Sequence, residues 1–174
     1  DFLSEVYMSE ERYTTLTHLL RRKKNIVLQG APGVGKTYAA KRLAYSMMGV
    51  KDQRRVMMVQ FHQSYSYEDF IMGFRPCDNG FELKKGAFYN FCKLAEADGE
   101  NDYFFIIDEI NRGEISKIFG ELFFSIDPGY RGTEGAVKTQ YANLQENPNK
   151  FDTVLKKGWL GHPFLYVIYS THRI

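Results

Sequence analysis

Gly30-Ala31-Pro32-Gly33-Val34-Gly35-Lys36-Thr37 has the spacing GxxxxGK[ST], which suits the capture of a polyphosphate. Glycines let backbone N–H groups turn inward around anionic oxygens, at a helix start whose partial positive charge favours anions. Lys36 adds a point charge for the outer phosphates. Thr37 offers a hydroxyl to Mg2+, a cation that keeps most of its waters and takes few protein ligands. The contact stretch is read as Gly30 through Thr37 and on to Tyr38. Average composition would produce the four fixed positions in about one chain in a hundred. A strand before the motif and a helix after it lower that figure further.

A second pair of residues could complete the chemistry. Asp108 and Glu109 follow the apolar run Tyr103-Phe104-Phe105-Ile106-Ile107. A buried strand would therefore deliver two adjacent carboxylates to its carboxyl end, where open α/β sheets bind ligands. Asp108 suits the magnesium position. Glu109 suits polarising an attacking water, because phosphoryl transfer mainly requires positioning and charge neutralisation.

Regular elements must hold these groups. Asn25 to Gln29 is a short apolar run that reads as a buried strand ended by Gly30. The spacing predicts a helix from Ser9 to Arg21, with acid at its start and base at its end, and another from Gly35 to about Met48. Val56 to Phe61 reads as a second strand and Tyr67 to Met72 as a short helix. Asp78-Asn79-Gly80 marks a hairpin turn between Arg75 to Cys77 and Phe81 to Leu83. A helix from Ala87 to Ala97 carries Phe88, Phe91, Cys92, Leu94 and Ala95 on its apolar face. Ile115, Ile118, Phe119, Leu122 and Phe123 predict one amphipathic helix stopped by Pro128 and Gly129. A second hairpin is expected near Val137 to Tyr141, and a last strand over Phe164 to Tyr169 after Pro163. Strands alternating with helices imply a three-layer α/β domain with a mostly parallel sheet.

Composition agrees with a globular chain. At 174 residues it suits one domain, read as a helical lead-in over 1–24 and a phosphate-loop core over 25–174. Aromatics are abundant, with 14 Phe and 12 Tyr, and their helical and strand spacing points to core packing. A formal charge of +2 argues against a strong nucleic-acid footprint; only Arg21 to Lys24 and Gln53 to Arg55 are locally basic. Cys77 and Cys92 form no metal-ligand spacing and fit a reducing compartment. With no long apolar stretch and no signal-like start, a cytoplasmic protein without a membrane partner is expected.

Lys23 through Thr37, Gln60 through Phe70, Asp108 through Arg112 and Ser116 through Leu122 together resemble the McrB branch of the AAA+ proteins. The likeness runs from about Phe2 to Ile168. It implies a P-loop NTPase with strand order 1-4-3-2, acting as the GTP- or ATP-driven motor of an oligomeric DNA restriction complex. It also implies a ring of subunits, a separate nuclease and contact with DNA through other domains. Carried onto these positions, it assigns phosphates to Gly33, Gly35, Lys36 and Thr37, magnesium to Thr37 and Asp108, and water activation to Glu109. Lys36 and Glu109 would be catalytic together with Asn111 and Arg112, which would sit near a neighbouring subunit. The two hairpins resemble insertions that usually face a ring's central pore.

The tail departs from the family, which ends its fourth strand with a Met-Asn pair as sensor of the terminal phosphate. Here Ile168-Tyr169-Ser170-Thr171-His172-Arg173-Ile174 has no Asn; Ser170 or His172 could replace it, and the favoured expectation is a chain cut or altered near its end. The chain is expected to lack the family's fifth strand, helical lid and later arginine finger, leaving the flank of Ile26 to Leu28 open and hydrolysis by the chain alone slow. An alternative reading is a nucleotide-controlled assembly module with little turnover. His62, after the second strand, and Arg131 carry weaker claims, as a structural residue and a solvated loop residue respectively.

Overall fold

A computed structural model describes residues 2–126, 139–141 and 165–172. The chain opens with α1 (Phe2–Glu5) and α2 (Glu10–Lys23), the latter started by Ser9, whose side chain accepts from the Arg12 N–H. Next come β1 (Asn25–Gly30), α3 (Lys36–Met48), β2 (Val56–Gln60) and α4 (Tyr67–Phe70). The hairpin β3 (Met72–Cys77) and β4 (Gly80–Lys85) leads to α5 (Ala87–Ala97) and β5 (Tyr103–Asp108). A 3-10 turn (Ile110–Arg112), α6 (Ile115–Phe119), a 3-10 segment (Gly120–Ile126) and β6 (Leu165–His172) complete the described elements.

The main sheet has the order β1-β6-β5-β2, every neighbour parallel. Numbered by the strands expected from sequence, that order is 1-4-3-2. Alternation along β5 explains the three layers, since successive strand side chains point to opposite faces. Tyr103, Phe105 and Ile107 join Leu165, Val167 and Tyr169 in a core with α4, α5 and α6. Phe104 and Ile106 join Tyr166 and Ile168 on the other face, against α1, α2 and α3. A strand buried on both faces needs an unbroken apolar run, and Tyr103 to Ile107 supplies one.

Four expectations need correction. The short helix expected from Tyr67 to Met72 ends at Phe70, and Met72 opens β3, paired with Lys85. β1 is only partly buried, and Val27 is 61% exposed, because β1 is an edge of the described sheet and only Ile26 and Leu28 face the second core. Leu94 is exposed; Phe88, Phe91, Cys92 and Ala95 follow the i, i+3, i+4, i+7 stripe, and Leu94 falls off it. The helix expected from Ile115 to Phe123 breaks at Gly120, which has φ 53 and ψ -131. A Cβ there would meet the Tyr67 ring at 3.0 Å, and the Tyr67 hydroxyl donates to Glu121 Oε1 at 2.6 Å. Tertiary packing therefore ends the helix where periodicity would continue it, and Phe123 emerges exposed.

The first hairpin stands as expected, with Cys77 opposite Gly80. Most of the second lies outside the described residues. Its described part, 139–141, carries no strand, and Tyr141 packs edge-on against Phe74 of β3 and donates to Glu68 Oε1. The expected stop at Pro128 and Gly129, and Pro163 before the last strand, also lie outside.

Candidate nucleotide-binding site

The parallel pairing brings four strand ends to one edge. Gly30 of β1 is in register with His172 of β6, and Gln60 of β2 with Asp108 of β5. The turn from β1 into α3 needs glycine twice, as Gly33 and Gly35 both have φ 78, with nothing within 4 Å of an added Cβ. The constraint there is backbone conformation, not space. Gly35 caps α3, its carbonyl accepting from the Ala39 N–H at 2.8 Å. Ala31, Pro32, Gly33, Val34 and Gly35 are all exposed, and Lys36 and Thr37 are half-buried.

Lys36 Nζ donates to the carbonyls of Gly30 at 3.0 Å and Ala31 at 2.7 Å. Its ammonium thus bridges the mouth of its own loop. Thr37 Oγ1 donates to Asp108 Oδ2 at 2.9 Å, joining two motifs 71 residues apart in sequence. One hydroxyl and one carboxylate are hard oxygen donors, and they fit a magnesium ion that draws its other ligands from water and phosphate. Among the described residues no three His, Cys, Asp or Glu side chains gather into a cage.

Glu109 is the unusual member. It is 8% exposed and sits in the left-handed region, φ 53 and ψ 42, a conformation uncommon for a residue with a side chain. The position is over-determined: its N–H donates to Asp108 Oδ1 at 3.1 Å, and its carbonyl accepts from the Arg112 N–H at 2.9 Å. The 3-10 turn so formed leaves Asn111 and Arg112 exposed. Strand, kink and turn together aim the two adjacent carboxylates differently, one at Thr37 and one inward.

The other sequence candidates separate. Phe61 extends the β2 pairing, its N–H donating to the Asp108 carbonyl at 2.9 Å, so His62 lies one residue beyond the strand ends. It is exposed and edge-on to Tyr65 at 5.5 Å. Ser170 is fully buried inside β6, whereas His172 ends that strand beside Gly30. Arg131 lies outside the described residues. Tyr38 is 48% exposed, and its hydroxyl donates to Glu5 Oε2 at 3.1 Å, toward the N-terminal segment.

Sequence reading gave that segment no contact with the phosphate loop. Val6, Tyr7 and Met8 line a cavity of about 540 Å³ whose other walls include Val27, Val34 and Lys36. Spacing offers no signal for it, because the walls come from four separate stretches of chain. The basic stretch at Gln53 to Arg55 is neutralised locally. Asp52 pairs with Arg54 and Arg55, and hydrogen bonds from Arg54 hold its carboxyl down at about 2.

The sequence model of the AAA domain, dynein-related subfamily, matches residues 25–173. The chain is 51% identical over 146 residues to the type IV methyl-directed restriction enzyme EcoKMcrB subunit of Escherichia coli K12. That match covers 84% of this chain and 32% of the relative, so the chain spans about a third of the relative's length. A solved structure described as a candidate ATPase from Cytophaga hutchinsonii aligns over 92% of this chain and 38% of its own, with TM-score 0.41 and 19% identity. No described helix is long and apolar enough to cross a membrane.

Proposed function

Because this chain belongs to the AAA domain family, dynein-related subfamily, as a P-loop domain of the McrB type, we propose that it binds GTP or ATP with magnesium and hydrolyses it. The observation that carries this reading is the Thr37–Asp108 hydrogen bond, which joins the phosphate loop to the carboxylate pair. Magnesium, when bound, would neutralise charge on the outer phosphates. Thr37 and Asp108 would hold it. Lys36 would leave the Gly30 and Ala31 carbonyls for phosphate oxygens, and the N–H groups of Gly33 to Thr37 would cradle the same oxygens at the start of α3. Glu109 would orient and deprotonate the attacking water. The cavity beside Val34 and Lys36 supports placing the base against Val6 to Met8.

By its likeness to the restriction subunit, the domain would work as the motor of an oligomer with a separate nuclease, reaching DNA through other domains. Asn111 and Arg112, exposed one turn beyond Glu109, would face the neighbouring subunit. A second reading, nucleotide held without turnover, rests on the β6 end, where Ser170 to His172 provide no Asn beside Gly30. Phosphate release from the purified chain separates the two.

The binding claim is tested with Lys36→Ala in equilibrium titrations of GTP and ATP with magnesium. Removing one charge-assisted phosphate contact should weaken binding by about 10- to 100-fold, with the far-UV spectrum unchanged. Unaltered affinity in a folded variant would remove the phosphate-loop assignment.

A further inference from the structure

The N-terminal segment that walls the cavity is held by contacts to the helix that follows the phosphate loop. α1 is four residues long, too short to persist alone, so its place depends on its anchors. At one end Phe2 is buried in the second core, its ring 4.8 Å from that of Tyr13. At the other, Glu5 Oε2 accepts from Arg42 Nε at 2.5 Å and from the Tyr38 hydroxyl at 3.1 Å. The Arg42 guanidinium also lies over the Tyr38 ring, 5.0 Å from its centroid. Tyr38 and Arg42 are one helical turn apart on α3, whose first residues are Lys36 and Thr37.

From these contacts we infer that Glu5, Arg42 and Tyr38 form a latch that positions Val6, Tyr7 and Met8 as the base-facing wall of the nucleotide site. The inference rests on the nucleotide reading above and adds positioning residues to it. Immediately after Glu5 the chain runs along the cavity, and Tyr7 is fully exposed beside it. A planar, solvent-facing ring on a short segment can present a face to a base only if the segment is held still. The latch does this from the same helix that starts at the phosphate loop. The two side chains of the ion pair are 28% and 36% exposed, partly shielded from the screening that leaves fully exposed pairs with little effect. Phe2 and Tyr13 remain when the latch is cut, so the loss should be confined to the wall.

The test separates base from phosphate. Binding of magnesium with GTP, ATP and inorganic tripolyphosphate to the full 174-residue chain is measured by calorimetry for the native protein, Glu5→Gln and Arg42→Gln. The native protein should bind at least one nucleotide more tightly than tripolyphosphate. Both variants should lose about 10-fold in affinity for that nucleotide while tripolyphosphate binding stays within about two-fold. Arg42→Lys, which keeps the charge and removes the planar guanidinium, should show the same selective loss at about two- to three-fold, and it covers the case of a charge-removing variant that fails to fold. Equal losses for nucleotide and tripolyphosphate, or no loss for either, would overturn the latch. A native protein that binds tripolyphosphate as tightly as nucleotide would overturn the base wall and leave the phosphate site standing. A native protein that binds neither would remove the proposed function itself.

Discussion

Glu109 shows how one residue's backbone can aim an adjacent acidic pair in two directions. Two successive strand residues would normally point to opposite faces. Here the left-handed φ of 53 at Glu109 ends the strand at once, so Asp108 keeps its strand direction toward Thr37 while the Glu109 carboxylate is turned into a nearly closed setting. A carboxylate held with little water around it suits a base acting on one positioned water molecule. Glu109→Gln keeps the size and the backbone bonds of this kink and removes the proton acceptor. Turnover should fall by about 10² or more, with nucleotide affinity within about two-fold of the native value. Steady-state phosphate release together with equilibrium binding checks this; hydrolysis at the native rate would strip Glu109 of its role.

Among the elements, the break between α6 and the following 3-10 segment is the least expected. Ile115, Ile118, Phe119 and Leu122 have helical spacing, and Ile118, Phe119 and Leu122 are buried as that spacing requires. The backbone nevertheless changes course at Gly120, where the Tyr67 ring stands 3.0 Å from the place of a Cβ and the Tyr67–Glu121 bond fixes the next residue. α4 is thereby clamped to the segment that follows the carboxylate pair. α4 is itself capped reciprocally: Ser66 accepts from the Asp69 N–H, and Asp69 accepts from the Ser66 N–H. Gly120→Ala should cost about 1 to 3 kcal/mol, since φ 53 with ψ -131 is a region open essentially to glycine. Urea unfolding would measure it, and a midpoint equal to that of the native protein would mean that the chain can relax at this joint without loss.

For the molecule as a whole, the parallel order β1-β6-β5-β2 gathers the phosphate loop, the carboxylate pair and the end of β6 along one edge. The exposed Asn111 and Arg112 lie on that same edge, available to a second copy. In phosphoryl-transfer enzymes an arginine supplied by a neighbour can raise the rate by about 10³ to 10⁵. If Arg112 serves a neighbour in this way, phosphate release per chain should rise with protein concentration and be low at dilution. Arg112→Ala should flatten that rise while leaving nucleotide binding intact. A rate per chain that is independent of concentration would count against the shared site.

The phosphate-loop spacing and the elements around it were legible in the sequence because they depend on local rules. A phosphate loop needs glycines at set positions, a two-sided buried strand needs an unbroken apolar run, and an Asp-Asn-Gly turn needs no distant partner; each was read from adjacent residues. The strand order could be expected only through family likeness, since no local spacing states which strands become neighbours. Tertiary structure alone decided the rest. Glu109's kink, the break at Gly120, the exposure of Val27 and the contact of Glu5 with Arg42 all depend on groups far apart in the chain. Local propensity specifies an element, but burial, ring contacts and edge position are set by what folds against it, and a linear pattern does not contain that information.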